Sequence, residues 1–224
     1  MGREQLMLSG DEHFYTLQGE GDSIGKPATF LRLHFCNLEC SWCDTKYTWD
    51  GTEKPIPWEM SDVIAEVRKN PVKRLVITGG EPLIQQRKIA TLIGELPDFV
   101  IEIETNGTLA STPELERCQF NVSPKLANSD NPFEKRYKPE VLKHFNELNS
   151  FFKFVVTKPE DVTEIQGIID ECKLDKEKII IMPEGTDQDA IKEHALAVVD
   201  LVKEKGWRLV PRLQTLLWGK TRKV

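Results

Sequence analysis

β-branched and aromatic runs alternate along this chain with segments of helical periodicity. Residues 29–35, 74–78, 99–104, 120–123, 152–157, 178–182 and 207–210 read as strands. Helical spacing fills most of the gaps. Over 61–70 it places Val63, Ile64 and Val67 on one face, with Ser61 at the N-cap position. Over 84–96 the apolar stripe is Ile84, Ile89, Leu92, Ile93 and Leu96, and over 162–172 it is Ile165, Ile168 and Ile169. Over 188–205 it is Ile191, Ala195, Val198, Val199 and Val202, and Gly206 stands where a C-cap glycine stops a helix. Strand and helix in alternation imply right-handed crossovers and a largely parallel sheet.

The unusual residues fall after the strands. The run Phe35-Cys36-Asn37-Leu38-Glu39-Cys40-Ser41-Trp42-Cys43-Asp44 follows the first strand, and Thr78-Gly79-Gly80-Glu81-Pro82 the second. Thr105-Asn106-Gly107-Thr108, Ser123-Pro124-Lys125, Thr157-Lys158-Pro159-Glu160-Asp161 and Pro183-Glu184-Gly185-Thr186-Asp187 follow the next four. In a parallel barrel or sheet the C-terminal strand ends share one rim, where ligands bind. Strand-to-helix loops are rich in Gly, Pro and Asx in any case. Their order behind a three-cysteine loop is the informative part.

Composition narrows the class. The 224 residues are 39% hydrophobic, enough for one large α/β domain with a substantial core. The net charge of −6 argues against general nucleic-acid binding. Five cysteines, an odd count, argue against a disulfide framework and fit a reducing, cytoplasmic setting. The opening Met1-Gly2-Arg3-Glu4-Gln5-Leu6 has no apolar signal core and no myristoylation Ser or Thr. Apolar runs such as 179–182 are far too short to span a bilayer.

The spacing Cys-x3-Cys-x2-Cys at Cys36, Cys40 and Cys43 can hold three corners of a 4Fe–4S cube. Three cysteines with His34 can also hold a structural zinc, but zinc sites come as two separated halves. No second half exists here, because His144 and His194 have no Cys or His within five residues. A ferredoxin-like carrier needs a fourth cysteine in ligand spacing. Cys118 and Cys172 are isolated and read as core residues. Three thiolates leave one iron free for another ligand, and in this the loop resembles that of radical S-adenosylmethionine (SAM) enzymes.

Around Gly80, helix-start amides favour a carboxylate, and nearby carbonyls or Glu81 can take an ammonium. SAM carries both groups. A plain turn is the alternative. Trp42 reads either as packing near the SAM adenine or as a core residue sealing the cluster. Lys125 reads as a ligand contact at a strand end or as an ordinary solvated lysine.

The N-terminal run narrows the resemblance. Phe14-Tyr15-Thr16-Leu17-Gln18-Gly19-Glu20-Gly21, Arg32, and Cys43-Asp44-Thr45-Lys46-Tyr47-Thr48-Trp49-Asp50 resemble the 7-carboxy-7-deazaguanine synthase family of the radical SAM superfamily. Thr78-Gly79-Gly80-Glu81-Pro82, Glu104-Thr105-Asn106-Gly107-Thr108 and Ser123-Pro124-Lys125 follow in that family's order, and the closing stretch Gln214–Arg222, with Trp218-Gly219, looks like the tail of some members.

The resemblance covers essentially the whole chain and implies one radical SAM domain over 1–224, an incomplete parallel (β/α) barrel of about six core strands. It implies a lyase of queuosine and deazapurine biosynthesis, a route to tRNA modification. The reaction it implies takes 6-carboxy-5,6,7,8-tetrahydropterin to 7-carboxy-7-deazaguanine with loss of ammonia, begun by removal of a hydrogen from C6. The implied cofactors are a 4Fe–4S cluster, SAM and Mg2+.

Site residues carry over position by position. Substrate contacts would be Leu17, Gln18, Gly19, Glu20, Thr78 and Arg32, the last offering a fork to a carboxylate. Alone, Arg32 also reads as a strand residue in a salt bridge, and Glu20 as support for a Gly-rich turn. SAM contacts would be Trp42, Cys43, Asp44, Gly80, Ser123, Pro124, Lys125, Met182, Pro183, Glu184 and Gly185. The last four depart from members that have Gln-Pro there. Thr45 would ligate magnesium; from the residues alone Thr45 reads as a helix cap and Asp44 as the better metal ligand.

The implied partners are the pterin, an electron donor such as a flavodoxin or ferredoxin, and a second copy of the chain in a homodimer, with no nucleic acid and no membrane. Two competitors stay open. An activase that makes a glycyl radical would share the cysteines but has no need of Leu17–Gly21 or Arg32. A zinc or iron–sulfur binding module would not cleave SAM.

Overall fold

The computed structural model describes residues 4–224. Met1, Gly2 and Arg3, part of the stretch read as lacking a signal core, lie outside the described residues. Among the described residues no helix is long and apolar enough to cross a membrane.

Among the described residues one sheet of nine strands organises the fold. In chain order they are β1 (Gln5–Leu17), β2 (Pro27–Leu33), β3 (Pro55–Glu59), β4 (Arg74–Gly79), β5 (Val100–Thr105), β6 (Gln119–Val122), β7 (Ser150–Val156), β8 (Ile179–Pro183) and β9 (Arg208–Leu209). The sheet order is β3-β1-β2-β4-β5-β6-β7-β8-β9. From β2 onward every neighbour is parallel, while β1 is antiparallel to both β2 and β3. The order runs from one edge to the other without closing, the incomplete barrel expected for a radical SAM fold.

Seven expected strands are present within a few residues, but β1 and β3 were not foreseen. In β1 the run Ser9-Gly10-Asp11-Glu12 breaks the apolar alternation, because a register irregularity between Leu8 and His13 lets the strand continue, with Gly10 at φ +58°. Two prolines, Pro55 and Pro57, disguise β3. It lies at the sheet edge, where a missing N–H is tolerated.

The helices are α1 (Met60–Lys69), α2 (Gln86–Gly94), α3 (Phe133–Arg136), α4 (Pro139–Asn146), α5 (Pro159–Cys172), α6 (Gln188–Lys205) and α7 (Leu213–Trp218). Ser61 is not the cap of α1. The helix begins at Met60, and Glu59 precedes it without a side-chain cap bond. The periodicity over 84–96 splits into a 3-10 turn at Pro82–Gln85 and α2. Helix α6 ends as expected, with Gly206 in the left-handed conformation at φ +71°.

Strand alternation divides the sheet's two faces. Leu31, Leu33, Leu75, Ile77, Ile101, Ile103, Phe120, Phe152, Phe154, Ile179 and Ile181 pack with the helices in the main core. Cys118 and Cys172 are buried in that same core, as read from the sequence. The intervening residues point the other way. Arg32, Thr78, Glu104, Ser123, Lys153 and Met182 thereby line one cavity.

Candidate active site

The cavity occupies about 510 Å³ on the inner face of the sheet. Cys36, Cys40 and Cys43 line it, as do Leu17, Gln18, Gly19, Glu20, Arg32, Thr78 and Gly80. Trp42, Asp44, Thr45, Ser123, Lys125, Met182 and Glu184 complete the expected set within it. Pro124, Pro183 and Gly185 are not among its walls, although the Gly185 carbonyl accepts from Arg212 Nη1 at 3.1 Å.

The cysteine loop begins in a constrained turn. Phe35 has φ +80°, a region that costs a non-glycine residue roughly 1–2 kcal/mol. Two backbone bonds hold it there: Phe35 N donates to Thr48 O at 2.9 Å, and Glu81 N donates to Phe35 O at 2.8 Å. The glycines at the end of β4 permit this approach. A Cβ on Gly79 would stand 2.0 Å from Leu33 O, and one on Gly80 would stand 2.1 Å from Phe35 O. Their smallness is therefore used first to seat one loop on the other.

Glu81 does not take the role of ammonium acceptor. It is fully buried and accepts from Leu83 N at 2.9 Å, Thr105 Oγ1 at 2.9 Å and Asn106 N at 2.7 Å. Burial outweighs these bonds and raises its carboxyl pKa. It is a strut tying β4 to β5.

The three thiols fit an iron–sulfur cluster by their chemistry and placement. They are unbridged, they ring one cavity, and Cys40 Sγ accepts from Asn131 Nδ2 at 3.2 Å. Desolvation pushes the Cys36 thiol up to about 11. A bound cation would reverse that preference, since a coordinating thiol is deprotonated outright. Among the described residues no three His, Cys, Asp or Glu side chains gather as ligands of one ion. His34 turns away from the cysteines, its Nδ1 3.0 Å from Ser9 Oγ.

Beside the cluster loop, Trp42 Nε1 donates to Asn128 Oδ1 at 3.2 Å, and the Lys125 ammonium lies 5.5 Å from the Trp42 ring centre. Lys125 Nζ donates to Ser123 Oγ at 2.8 Å. Thr45 precedes a short 3-10 turn without capping it by its side chain. Its Oγ1 lies 3.6 Å from Cys43 Sγ. Asp44 is taken by an ion pair with Arg212.

The other end of the cavity is built from charges. Lys153, on β7 and 5% exposed, pairs with Glu20 and, at 3.0 Å, with Glu104. Glu20 also accepts from Arg212 Nε at 3.1 Å and Gln214 Nε2 at 2.7 Å. Burial would raise the Glu20 carboxyl, but Lys153 and Arg212 together hold it well below the usual range. Burial would likewise lower Lys153, and its two carboxylates raise it instead. Gln18 Nε2 donates to Glu104 Oε1 at 3.1 Å, and Asn121 Nδ2 donates to the same atom at 2.9 Å. A Cβ on Gly19 would run into Gln214 Oε1, so this glycine admits the start of α7.

Arg32 is not free in this arrangement. It forms an ion pair with the buried Glu12, although its Nε–H is not aligned as a hydrogen bond. Glu12 also accepts from Tyr47 Oη at 2.9 Å and from Arg222 Nε at 2.8 Å. Arg222 lies over the Tyr47 ring at 3.9 Å and reaches Glu53 at 3.0 Å. Sequence reasoning gave no site role to Glu12, Lys153, Arg212, Gln214 or Arg222, although the last two bound the tail stretch that resembles the family. The one available signal was a lysine at an inward position of an otherwise apolar strand, Phe151-Phe152-Lys153-Phe154-Val155.

Residues 31–120 match the radical SAM superfamily. A 7-carboxy-7-deazaguanine synthase of Pyrobaculum aerophilum is 35% identical over 222 residues, covering 94% of this chain and 95% of that protein. The enzyme of the same name from Escherichia coli K12 is 30% identical over 221 residues, covering 89% and 93%. The crystal structure of QueE from Escherichia coli superposes with a TM-score of 0.74 at 29% identity, covering 95% of this chain and 96% of that one.

Proposed function

We propose a reaction from the family to which this chain belongs, the radical SAM 7-carboxy-7-deazaguanine synthases: its cavity converts 6-carboxy-5,6,7,8-tetrahydropterin to 7-carboxy-7-deazaguanine with loss of ammonia. The observation that carries this is one cavity joining three thiols to a polar, charge-lined end. When bound, a 4Fe–4S cluster and SAM supply a carbon radical that takes a hydrogen atom from the substrate. Cys36, Cys40 and Cys43 would hold the cluster. Gly80, with Trp42, Ser123 and Lys125, would hold SAM, and Thr78 would face the substrate.

The remaining work belongs to the charged end. A pterin presents a row of N–H donors, and Glu20 and Glu104, both paired with Lys153, are acceptors for such an edge. Its carboxylate needs a cation, and Arg32 supplies one by exchanging Glu12 for the substrate. The tail residues 219–224 also line the cavity and limit its contact with water. Thr45 would contribute one oxygen to a magnesium ion that otherwise keeps substrate and water oxygens. A flavodoxin- or ferredoxin-type donor completes the requirement for an electron.

The test is anaerobic. Reconstituted protein is incubated with SAM, dithionite, magnesium and the carboxypterin, and the deazaguanine product is followed by mass. SAM cleavage without any deazaguanine would leave a radical SAM enzyme of different substrate.

A further inference from the structure

Four consecutive residues of the cysteine loop are gripped by one short segment, residues 128–131, which stands just beyond Ser123-Pro124-Lys125 in the chain. Glu39 N donates to Asn131 Oδ1 at 2.9 Å. Asn131 Nδ2 donates to Cys40 Sγ at 3.2 Å. Ser41 N donates to Ser129 O at 3.1 Å, and Trp42 Nε1 donates to Asn128 Oδ1 at 3.2 Å.

The gripping segment is itself fixed. Asn128 Nδ2 donates to Asp161 Oδ2 at 2.9 Å and to Val155 O at 3.0 Å. Ser129 is fully buried and donates through Oγ to Leu126 O at 2.8 Å. Asp130 takes the left-handed conformation at φ +60°, which an aspartate tolerates better than most residues. Asn131 is only 8% exposed.

Hydrogen-bond chemistry assigns the Asn131 amide. The Glu39 backbone N–H can only donate, so it must face the amide oxygen. The NH2 is then turned onto the Cys40 sulfur and onto Ser129, whose carbonyl and Oγ lie 3.3 and 3.2 Å away. A donor aimed at a ligand sulfur stabilises the more electron-rich state of an iron–sulfur cluster, because the added charge is shared with the sulfurs. It also fixes the ligand's orientation.

The geometry points to Asn131 as a positioning residue that sets Cys40 and raises the reduction potential of the cluster this cysteine would help hold. The inference rests on the three-cysteine reading above. It goes beyond it by naming a residue outside the cysteine and SAM motifs that tunes the electron-accepting step.

The test is an EPR-monitored redox titration of reconstituted protein, in which one electron passes from dithionite to each 4Fe–4S cluster and takes it from the 2+ to the 1+ state. Asn131→Leu removes both the sulfur donor and the Glu39 acceptor. Asn131→Asp keeps the acceptor and the shape but puts a carboxylate against the sulfur. Both variants should titrate at a lower potential than wild type, and Asp at the lower of the two. Asn128→Leu loosens the loop at Trp42 without touching sulfur and should leave the potential in place.

A wild-type potential in Asn131→Leu overturns the inference. So does an equal shift in Asn128→Leu, which would show that loop looseness alone is responsible. If Asn131→Leu does not retain iron, Asn131→Asp decides, and an unmoved potential there overturns it. A wild-type chain that takes up no iron removes the three-cysteine reading, and this inference with it.

Discussion

The two ends of the cavity are held together by different physics. At the cysteine end, the Asp44–Arg212 pair apart, the contacts are neutral and short-ranged: backbone amides, the Asn128 and Asn131 side chains, and glycines pressed against carbonyls. Each such bond is worth about 1 kcal/mol net, and the preferred geometry comes from several acting together. At the opposite end Glu12, Glu20, Glu104, Arg32, Lys153, Arg212 and Arg222 form ion pairs in a largely buried setting. Removing a buried member there, such as Lys153 or Glu12, strands its partners, at roughly 3–5 kcal/mol. A group that brings its own charge needs a shaped seat. A polar substrate that must be told from others needs fixed charges.

The largest effect expected from breaking this division is at the seat itself. Cys40→Ala should abolish cluster assembly and SAM cleavage, as should the same change at Cys36 or Cys43. Cys118→Ala should leave iron content near that of wild type, because Cys118 is buried among core side chains. Iron per chain and cleaved SAM after anaerobic reconstitution measure both. Full activity in Cys40→Ala would remove the cysteine from the ligand set.

At the charged end the next largest effect is expected from Lys153→Met. Two buried carboxylates lose their shared cation, so stability should fall by about 3–5 kcal/mol and carboxypterin turnover by more than tenfold. The pH dependence follows from the shifts. Glu20 is depressed below its ordinary 4.5, so its contribution is full above that value and is lost as pH falls below it. Lys153 is raised above its ordinary 10.5, so its contribution is full below that value and is lost as pH rises through the folded one. Without Lys153, Glu20 retains Arg212 but loses its nearest cation, and the acid limb of turnover should move to higher pH. Substrate-independent SAM cleavage should persist. An unmoved acid limb in folded Lys153→Met would show that the lysine does not depress the Glu20 carboxyl.

That contrast also decides what could be read from the sequence. The cysteine seat is written in contiguous stretches, so Cys36 to Cys43 and Thr78 to Pro82 declared themselves and the structure brings them together. Parallel strands were readable because their outward residues are apolar at every second position. The charged end was not readable, because its pairs join Glu20 to Lys153 and to Arg212, and Glu12 to Arg222, across most of the chain. A lone Glu or Lys is ordinarily a solvated residue, and only strand alternation, at Glu104 and Lys153, and the fold of the loop and tail segments bring these to one cavity. Glu81 failed in the opposite sense: its motif pointed to a ligand contact, and three local donors use its carboxylate instead. Strands β1 and β3 escaped for local reasons, an irregularity in one and edge prolines in the other.

A finer division within the charged end is testable at Arg32. Losing a charge-assisted contact to the substrate carboxylate should cost about 1.5–3 kcal/mol, read as a higher KM for the carboxypterin with SAM cleavage spared. Glu12→Gln should act in the other direction on binding, since it weakens the competitor that holds Arg32 in the substrate-free chain. Isothermal titration of both variants with the carboxypterin checks the pair of signs. Arg32→Ala binding as tightly as wild type would return Arg32 to a structural role opposite Glu12.

The smallest effect is expected where the two ends meet, at Thr45. Its hydroxyl makes a single long contact, 3.6 Å to Cys43 Sγ, and caps nothing by its side chain, so its removal should cost the loop little. Thr45→Val keeps the shape and deletes the oxygen. If that oxygen is one of the few protein ligands of a magnesium ion beside the substrate, the variant should turn over more slowly and respond less to added magnesium, with the cluster's absorbance intact. Chelation should slow wild type more than the variant, which has less metal to lose. Superimposable magnesium titrations of turnover for wild type and Thr45→Val would leave the ion, if turnover needs one, to other oxygens and would make Thr45 a packing residue of the cysteine loop.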